Sequence, residues 1–202
     1  GYIRRFMDYK GYISQEQQKE WFKSVDNDNN FYFIIRFKGQ KVGLINIKNI
    51  EWENDFSESG LFIWEQDLWE TEVPVYASLC LSEFGYAVLR GKQSWVRVLP
   101  GNMRALEFNR LLGYEPAPAP KDEGPGLEWY RQTAETFEKA THELRKQALE
   151  ISGSDNTAKV VFANDELLNR PYKSFTNYLH RFPLEHTEEN DGKKTIFSFI
   201  YF

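Results

Sequence analysis

From position 14 onward the chain alternates between stretches whose apolar residues recur every third or fourth position and stretches where they recur every second position or run together. The first period belongs to helices, the second to strands. Ser14-Gln15-Glu16-Gln17 has the spacing of a capping box and opens a helix whose apolar face carries Trp21, Phe22 and Val25. A polar break at 26–30 precedes a strand over 31–37, a Lys38-Gly39-Gln40 turn and a returning strand over 41–47. Both runs are rich in β-branched and aromatic residues, the pattern of a hairpin. A polar loop then leads to a short apolar strand at 60–64 and an acidic stretch at 65–72. Pro74 suits the start of a helix, and Ala77, Cys80, Leu81, Phe84 and Val88 follow the rhythm of one helix face, so Cys80 is expected in the core.

The alternation continues with a strand at 94–99, broken by Pro100-Gly101. Asn102 caps a helix bearing Ala105, Phe108 and Leu112 on one side, and Gly113 supplies its left-handed end. A proline-rich connector over 116–126 precedes a strand at 127–132, and Thr133 caps a helix to about 151 with Phe137, Ala140, Leu144 and Ala148 inward. Beyond a polar link at 152–157 come a strand at 159–163, a mixed segment around 172–182 and a closing strand at 195–202. A hairpin followed by alternating β and α elements predicts an α/β (α+β) fold, a mixed sheet with helices on its faces. The expected division is a main domain at 1–151 and a small C-terminal extension at 152–202, packed on that domain or on a second copy of it as a homodimer.

Composition narrows the partners. The 202 residues are 41% hydrophobic and 27% charged, enough for a buried core. A net charge of −5 without a long basic run argues against a nucleic-acid backbone or an anionic membrane. No apolar run is long enough to span a bilayer, and no signal peptide is visible. The lone Cys80 precludes an internal disulfide and no glycosylation sequon occurs, so a cytoplasmic protein is expected. His142, His180 and His186 lack metal-ligand spacing, so no metal site is expected. Signatures of serine hydrolases, P-loop enzymes, zinc proteases and thiol redox proteins are missing.

Three segments carry a resemblance to a known family. Ser14-Gln15-Glu16-Gln17-Gln18-Lys19-Glu20-Trp21-Phe22 looks like its "S-x-E-Q-x-x-W-F" helix, Gly39-Gln40-Lys41-Val42-Gly43 like its "G-x-x-I-G" hairpin, and Asn102-Met103-Arg104-Ala105 with Leu112-Gly113-Tyr114 like its "N-x-x-A…L-G-F/Y" helix. In this order they resemble the GNAT N-acetyltransferases, in the branch acting on protein N-termini, polyamines and amino-sugar nucleotides. The resemblance implies a mostly antiparallel central sheet, acetyl-CoA as cofactor and a primary amine as acceptor. The family opens with a strand and a helix. Ile3-Arg4-Arg5-Phe6 looks like the piece just after that helix, so both elements are expected upstream of this chain.

Carried over residue by residue, the resemblance places the pantetheine arm on the backbone of Phe62, Ile63 and Trp64, in the family's fourth strand. The pyrophosphate falls at Thr71, Tyr76 and Ala77 where the next helix begins, with Asn102 and Arg104 contributing from the subsequent helix. Glu58, just before the strand, takes the role of base or water-orienter, its bland alternative being a solvated loop acid. Two departures stand out. The family's glycines are missing from Thr71-Glu72-Val73-Pro74-Val75-Tyr76-Ala77, and Asn109 stands where the family often has the tyrosine that protonates the leaving thiolate. Tyr114 is expected as a core residue at a strand start. The expected activity is acetyl transfer to a small-molecule amine, foremost an amino-sugar nucleotide whose ring Trp52, Phe62, Trp64 and Trp69 could stack. Polyamines and a peptide N-terminus come next, and the alternative is a non-catalytic binding domain with a degenerate cofactor loop.

Overall fold

A computed structural model describes residues 11–120, 126–152, 157–181 and 185–200. Helix α1 (Gln15–Val25) begins where Ser14 and Gln17 satisfy each other's backbone N–H groups, as the capping box requires. Strands β1 (Phe31–Phe37) and β2 (Gln40–Glu51) form the hairpin, turned through Lys38 and Gly39 at positive φ. β3 (Phe56–Ile63) returns antiparallel to β2 and is longer than the apolar run at 60–64, because Phe56, Ser57, Glu58 and Ser59 extend it toward its start. Helix α2 (Val73–Glu83) continues into a wider π turn (Phe84–Val88), succeeded by β4 (Gln93–Val98) and α3 (Met103–Leu111). The short β5 (Glu115–Pro116), β6 (Glu128–Thr133) and α4 (Ala134–Ser152) complete this part.

The six strands lie in the order β1-β2-β3-β4-β6-β5, all antiparallel neighbours except β3 and β4. One sheet face is covered by α2, α3 and α4: Leu79, Val96, Val98, Leu112, Tyr114, Tyr130 and Phe137 form a single cluster there. The other face carries Phe56, Trp95 and Trp129, and at its edge Tyr32 meets Trp21 of α1 edge-on. Helices thus sit on both faces, but α1 buries nothing fully: Trp21 is 49% and Phe22 61% exposed. Gly113 ends α3 at φ +87°, and a Cβ there would run into the carbonyl of Thr136 on α4.

The last quarter of the chain builds a second sheet, β7 (Thr157–Ala163), β9 (Lys194–Ile200) and β8 (Thr187–Asn190), with helix α5 (Arg170–Arg181) against it. Phe175, Tyr178, Leu179, Phe197 and Phe199 share one cluster with Ile45, Ile47, Ile50, Leu81, Val88 and Leu89 of the first sheet and α2. Trp52 stacks on Tyr178 at 5.3 Å between ring centres, and the Ser174 hydroxyl donates to Asp28 at 2.6 Å. The mixed segment around 172–182 is therefore a helix where described, and β8, too polar to read as a strand, pairs with β9 through its backbone. Residues 3–6, 121–125, 153–156 and 201–202 of the expected elements lie outside the described residues.

Two core assignments are corrected. Cys80 is exposed. At about 100° per residue it points nearly opposite to Ser78, and the buried side of α2 is the arc holding Pro74, Ser78 and Leu81. On α4, Ala140 is exposed and Thr141 is buried in its stead, its hydroxyl donating to the Phe137 carbonyl at 2.7 Å. The Gly113 contact yields a stability test. Gly113→Ala should cost at least ~2 kcal/mol, from the left-handed backbone plus the collision with α4. Urea unfolding should show a lower midpoint at unchanged slope.

Candidate active site and cofactor slot

The one parallel neighbour pair in the first sheet is also the least paired. β3 and β4 meet in ladder register only at Glu58 and Trp95 among the described residues. Below that point Ser57 donates to the Gln93 carbonyl at 3.4 Å; above it the strands diverge. The Trp64 N–H bonds the Val42 carbonyl at 3.1 Å, and this fixes the parity of β3. Residues in step with Trp64, such as Phe62 opposite Leu44, turn their backbone groups to β2, while Leu61 and Ile63 turn theirs into the gap facing β4. Of the three strand positions expected to hold a pantetheine arm, Ile63 faces the gap, and Phe62 and Trp64 do not. Leu61 was missed, although strand alternation alone pairs it with Ile63. Gly43, opposite Ile63, gives the room: a Cβ there would stand 2.7 Å from the Ile63 side chain.

The segment after β3 closes over this gap. The Trp69 indole donates to the Ile63 carbonyl at 3.0 Å. The Arg104 guanidinium, from the first turn of α3, lies 4.8 Å above the Trp69 ring and 2.7 Å from the Glu70 carboxylate. Thr71 behaves as a cap, donating to the Leu68 carbonyl at 2.8 Å and accepting from the Val73 N–H at 3.4 Å. Helix α2 starts earlier than expected, so the Tyr76 N–H is spent on the Glu72 carbonyl at 2.9 Å and Ala77 lies inside the helical ladder. With Pro74 lacking an N–H, Val75 is the one residue of the first turn with a donor outside these bonds. Asn102 accepts the Ala105 N–H at 3.2 Å as the cap of α3. Asn109 donates back to the Ala105 carbonyl at 2.8 Å, so its amide is tied to its own helix and holds no acidic proton for a thiolate.

Glu58 is no loop acid. It lies within β3, 4% exposed, on the face opposite α2. Its carboxylate accepts from Arg97 Nε at 3.0 Å and from Asn49 Nδ2 at 2.8 Å, with Lys48 Nζ at 3.6 Å. Asn49 reaches it because the β2–β3 register slips there and Asn49 adopts φ 53°, a bulge that re-aims its side chain. Burial, and then the Glu58 charge, push the Tyr32 hydroxyl above its ordinary range. Asn46 Oδ1 and Trp95 Nε1 are buried on this face without a hydrogen-bond partner among the described residues. The Arg131 guanidinium stands 5.9 Å from the Trp95 ring centre and Arg97 5.6 Å from Trp129. The four aromatics expected to stack a ring are dispersed: Trp52 on Tyr178, Phe62 beside Trp64, Trp69 under Arg104.

A family model matches the chain over residues 2–115: the acetyltransferase (GNAT) domain. The chain belongs to the GNAT acetyltransferase family. It is an acyltransferase domain of a family that uses acetyl-CoA, and its mixed, mostly antiparallel sheet is the GNAT one. Among solved structures it is similar to an acetyltransferase of T. thermophilus described as putative in its name, at 17% identity and TM-score 0.58 over 72% of this chain and 82% of that one. It is also similar to the spermidine N-acetyltransferase from Vibrio cholerae solved with CoA and spermine (12% identity, TM-score 0.57, 67% and 85% covered). A third is apo FdhC, a nucleotide-linked sugar GNAT (20%, TM-score 0.54, 72% and 86%). No curated protein shows a significant sequence match. No described helix is long and apolar enough to cross a membrane.

The GNAT cofactor fits the gap on backbone grounds. An extended arm bearing amides can complete a strand along the Leu61 N–H and C=O and the Ile63 N–H, which face the gap, the Ile63 carbonyl being taken by the Trp69 indole. Where the resemblance expects the phosphates, the segment has no glycine, and the Arg104 guanidinium is shared with Glu70. A phosphate bound there would compete with Glu70 for that guanidinium, and this sets the expected sign of two substitutions. Glu70→Ala should tighten CoA binding by about 2- to 5-fold, since an exposed pair is worth under ~1 kcal/mol. Arg104→Ala should weaken it by ~10-fold or more. Isothermal titration with CoA measures both; weaker binding by Glu70→Ala would contradict the competition.

Proposed function

We propose that this domain transfers an acetyl group to the primary amine of a small molecule that also carries negative charge, an amino-sugar nucleotide being the best fit. The observation that carries the reading is the charge balance around Glu58. One buried carboxylate is paired with Lys48 and Arg97, and Arg131 and Glu115 share its sheet face, so cations outnumber carboxylates among these residues. A polyamine would meet repulsion there, whereas a phosphorylated amine would find Arg and Lys partners. The likenesses to a nucleotide-linked sugar GNAT and to a spermidine enzyme both hold at the level of the fold.

Acetyl-CoA supplies the activated acyl group; the residues on the Glu58 face prepare the amine. An amine with pKa near ~10 is almost wholly ammonium at neutral pH and must lose a proton before it can attack. Glu58, directly or through a water, accepts that proton, its place at the one β3–β4 bridge being the apex of the gap. Arg97 and Asn49 fix the carboxylate's orientation. Asn46 Oδ1, buried and without a described partner, is available to accept an N–H or O–H of the acceptor. The basic pair Lys48 and Arg97 holds the acceptor's anionic group.

Two measurements test this. Glu58→Gln should lower turnover at least ~10-fold at neutral pH while leaving CoA affinity nearly unchanged, the deficit shrinking as pH rises and free amine accumulates. A thiol-release assay across a nucleotide-linked amino sugar, spermidine and a peptide with a free N-terminus should favour the first. Turnover confined to spermidine or the peptide would overturn the assignment.

A further inference from the structure

Acyl transfer leaves a thiolate that must be protonated, and the position from which the family often supplies that proton holds Asn109, bonded to its own helix. A different set of hydroxyls lies at the apex of the gap. Ser59 is the first β3 residue above the Glu58–Trp95 bridge, and its Oγ lies 2.7 Å from Ser94 Oγ of β4. Ser94 Oγ in turn lies 3.0 Å from the Tyr114 hydroxyl. Tyr114 is buried, and burial pushes its phenol above the ordinary range, so it keeps its proton. With Tyr114 donating to Ser94 and Ser94 to Ser59, one of the orientations these contacts allow, the Ser59 proton is left free for a further acceptor. The same serines border a cavity of about 160 Å³. Its polar lining includes Ser57, Ser59, Ser82, Ser94, Tyr86 and Gln132, and the charged Glu51, Asp55 and exposed Arg90 also border it. That is room for several waters, with enough polar groups to hold them.

We propose, on the acetyltransferase reading above, that Ser59 is the proton donor to the departing thiolate and that Ser94 resupplies it from water in this cavity. As the carbon–sulfur bond breaks, its electron pair stays on sulfur and the Ser59 O–H proton moves to it. The Ser94 proton moves to Ser59, and a cavity water gives one to Ser94. The hydroxide so formed is neutralised by one of the two protons the acceptor ammonium sheds on becoming an amide; the other passes to solvent. Tyr114 exchanges no proton and acts as a positioning residue. The row occupies the α2–α3 side of the sheet and Glu58 the opposite side, so acid and base approach the gap from different faces. A purely structural role predicts that these hydroxyls only hold β3 to β4.

The test joins kinetics to a titration that needs no turnover. Ser59→Ala should lower kcat at least ~10-fold with the KM for acetyl-CoA unchanged, as expected for loss of a general acid. Ser59→Thr, which keeps the hydroxyl, should recover most of the rate, and Ser94→Ala should fall between. Independently, the thiol of enzyme-bound CoA is titrated through its ultraviolet thiolate absorbance. A Ser59 hydroxyl donating to sulfur favours the thiolate, so the bound thiol should titrate at higher pH in Ser59→Ala than in the parent. Folding is checked by circular dichroism and thermal midpoint. A parent that binds CoA and acetylates while Ser59→Ala matches it in kcat and in thiol titration overturns the proposal alone. A parent that neither binds CoA nor turns over overturns the acetyltransferase reading together with it.

Discussion

A single backbone bridge between Glu58 and Trp95 organises this molecule. Two parallel strands that separate after one bridge leave N–H and C=O groups unpaired in the middle of a sheet, a costly arrangement unless something completes them. Here Trp69 completes one, the Ile63 carbonyl, by its indole N–H. The remaining groups of Leu61 and Ile63 form a slot of strand width. Everything attributed to the site stands in relation to it: Glu58 at the bridge, Ser59 just above it, Arg104 and Trp69 at the mouth.

The two faces of the slot differ in chemistry because strand alternation separates them. Even-numbered positions of β3 around the bridge face a polar, aromatic surface with Lys48, Arg97 and Trp95; odd-numbered ones face the helices and the hydroxyl row. Placing a carboxylate at 4% exposure costs several kcal/mol unless it is paired, and Arg97, Asn49 and Lys48 pair it. The register slip that puts Asn49 in place is therefore part of the site and not a flaw in the hairpin.

Much of this was legible in the residues. The Ser14 capping box, the Lys38-Gly39 turn, the Asn102 cap and the Gly113 helix end are local signals whose physics acts within a few residues, and each lies where expected. The family likeness rested on them. Pairing parity was not legible from composition: which of Phe62, Ile63 and Trp64 faces the gap depends on the Val42 bond across the hairpin. Nor was the earlier start of α2, which consumes the Tyr76 N–H, or the burial of Glu58, which depends on partners from β2 and β4. Cys80 and Ala140 were misplaced because an apolar spacing fits more than one arc of a helix when both sides are partly covered. The Ser59–Ser94–Tyr114 row spans three elements and has no sequence spacing to betray it.

The slot itself is most directly tested by amide hydrogen exchange at single residues of β3 with and without acetyl-CoA. Phe62, already bonded to β2, should exchange slowly in both states. Leu61 and Ile63 should pass from fast to slow exchange when acetyl-CoA binds, because the cofactor's arm takes up their N–H groups. Binding of acetyl-CoA that leaves the exchange of Leu61 and Ile63 unchanged would place the cofactor elsewhere and contradict the account.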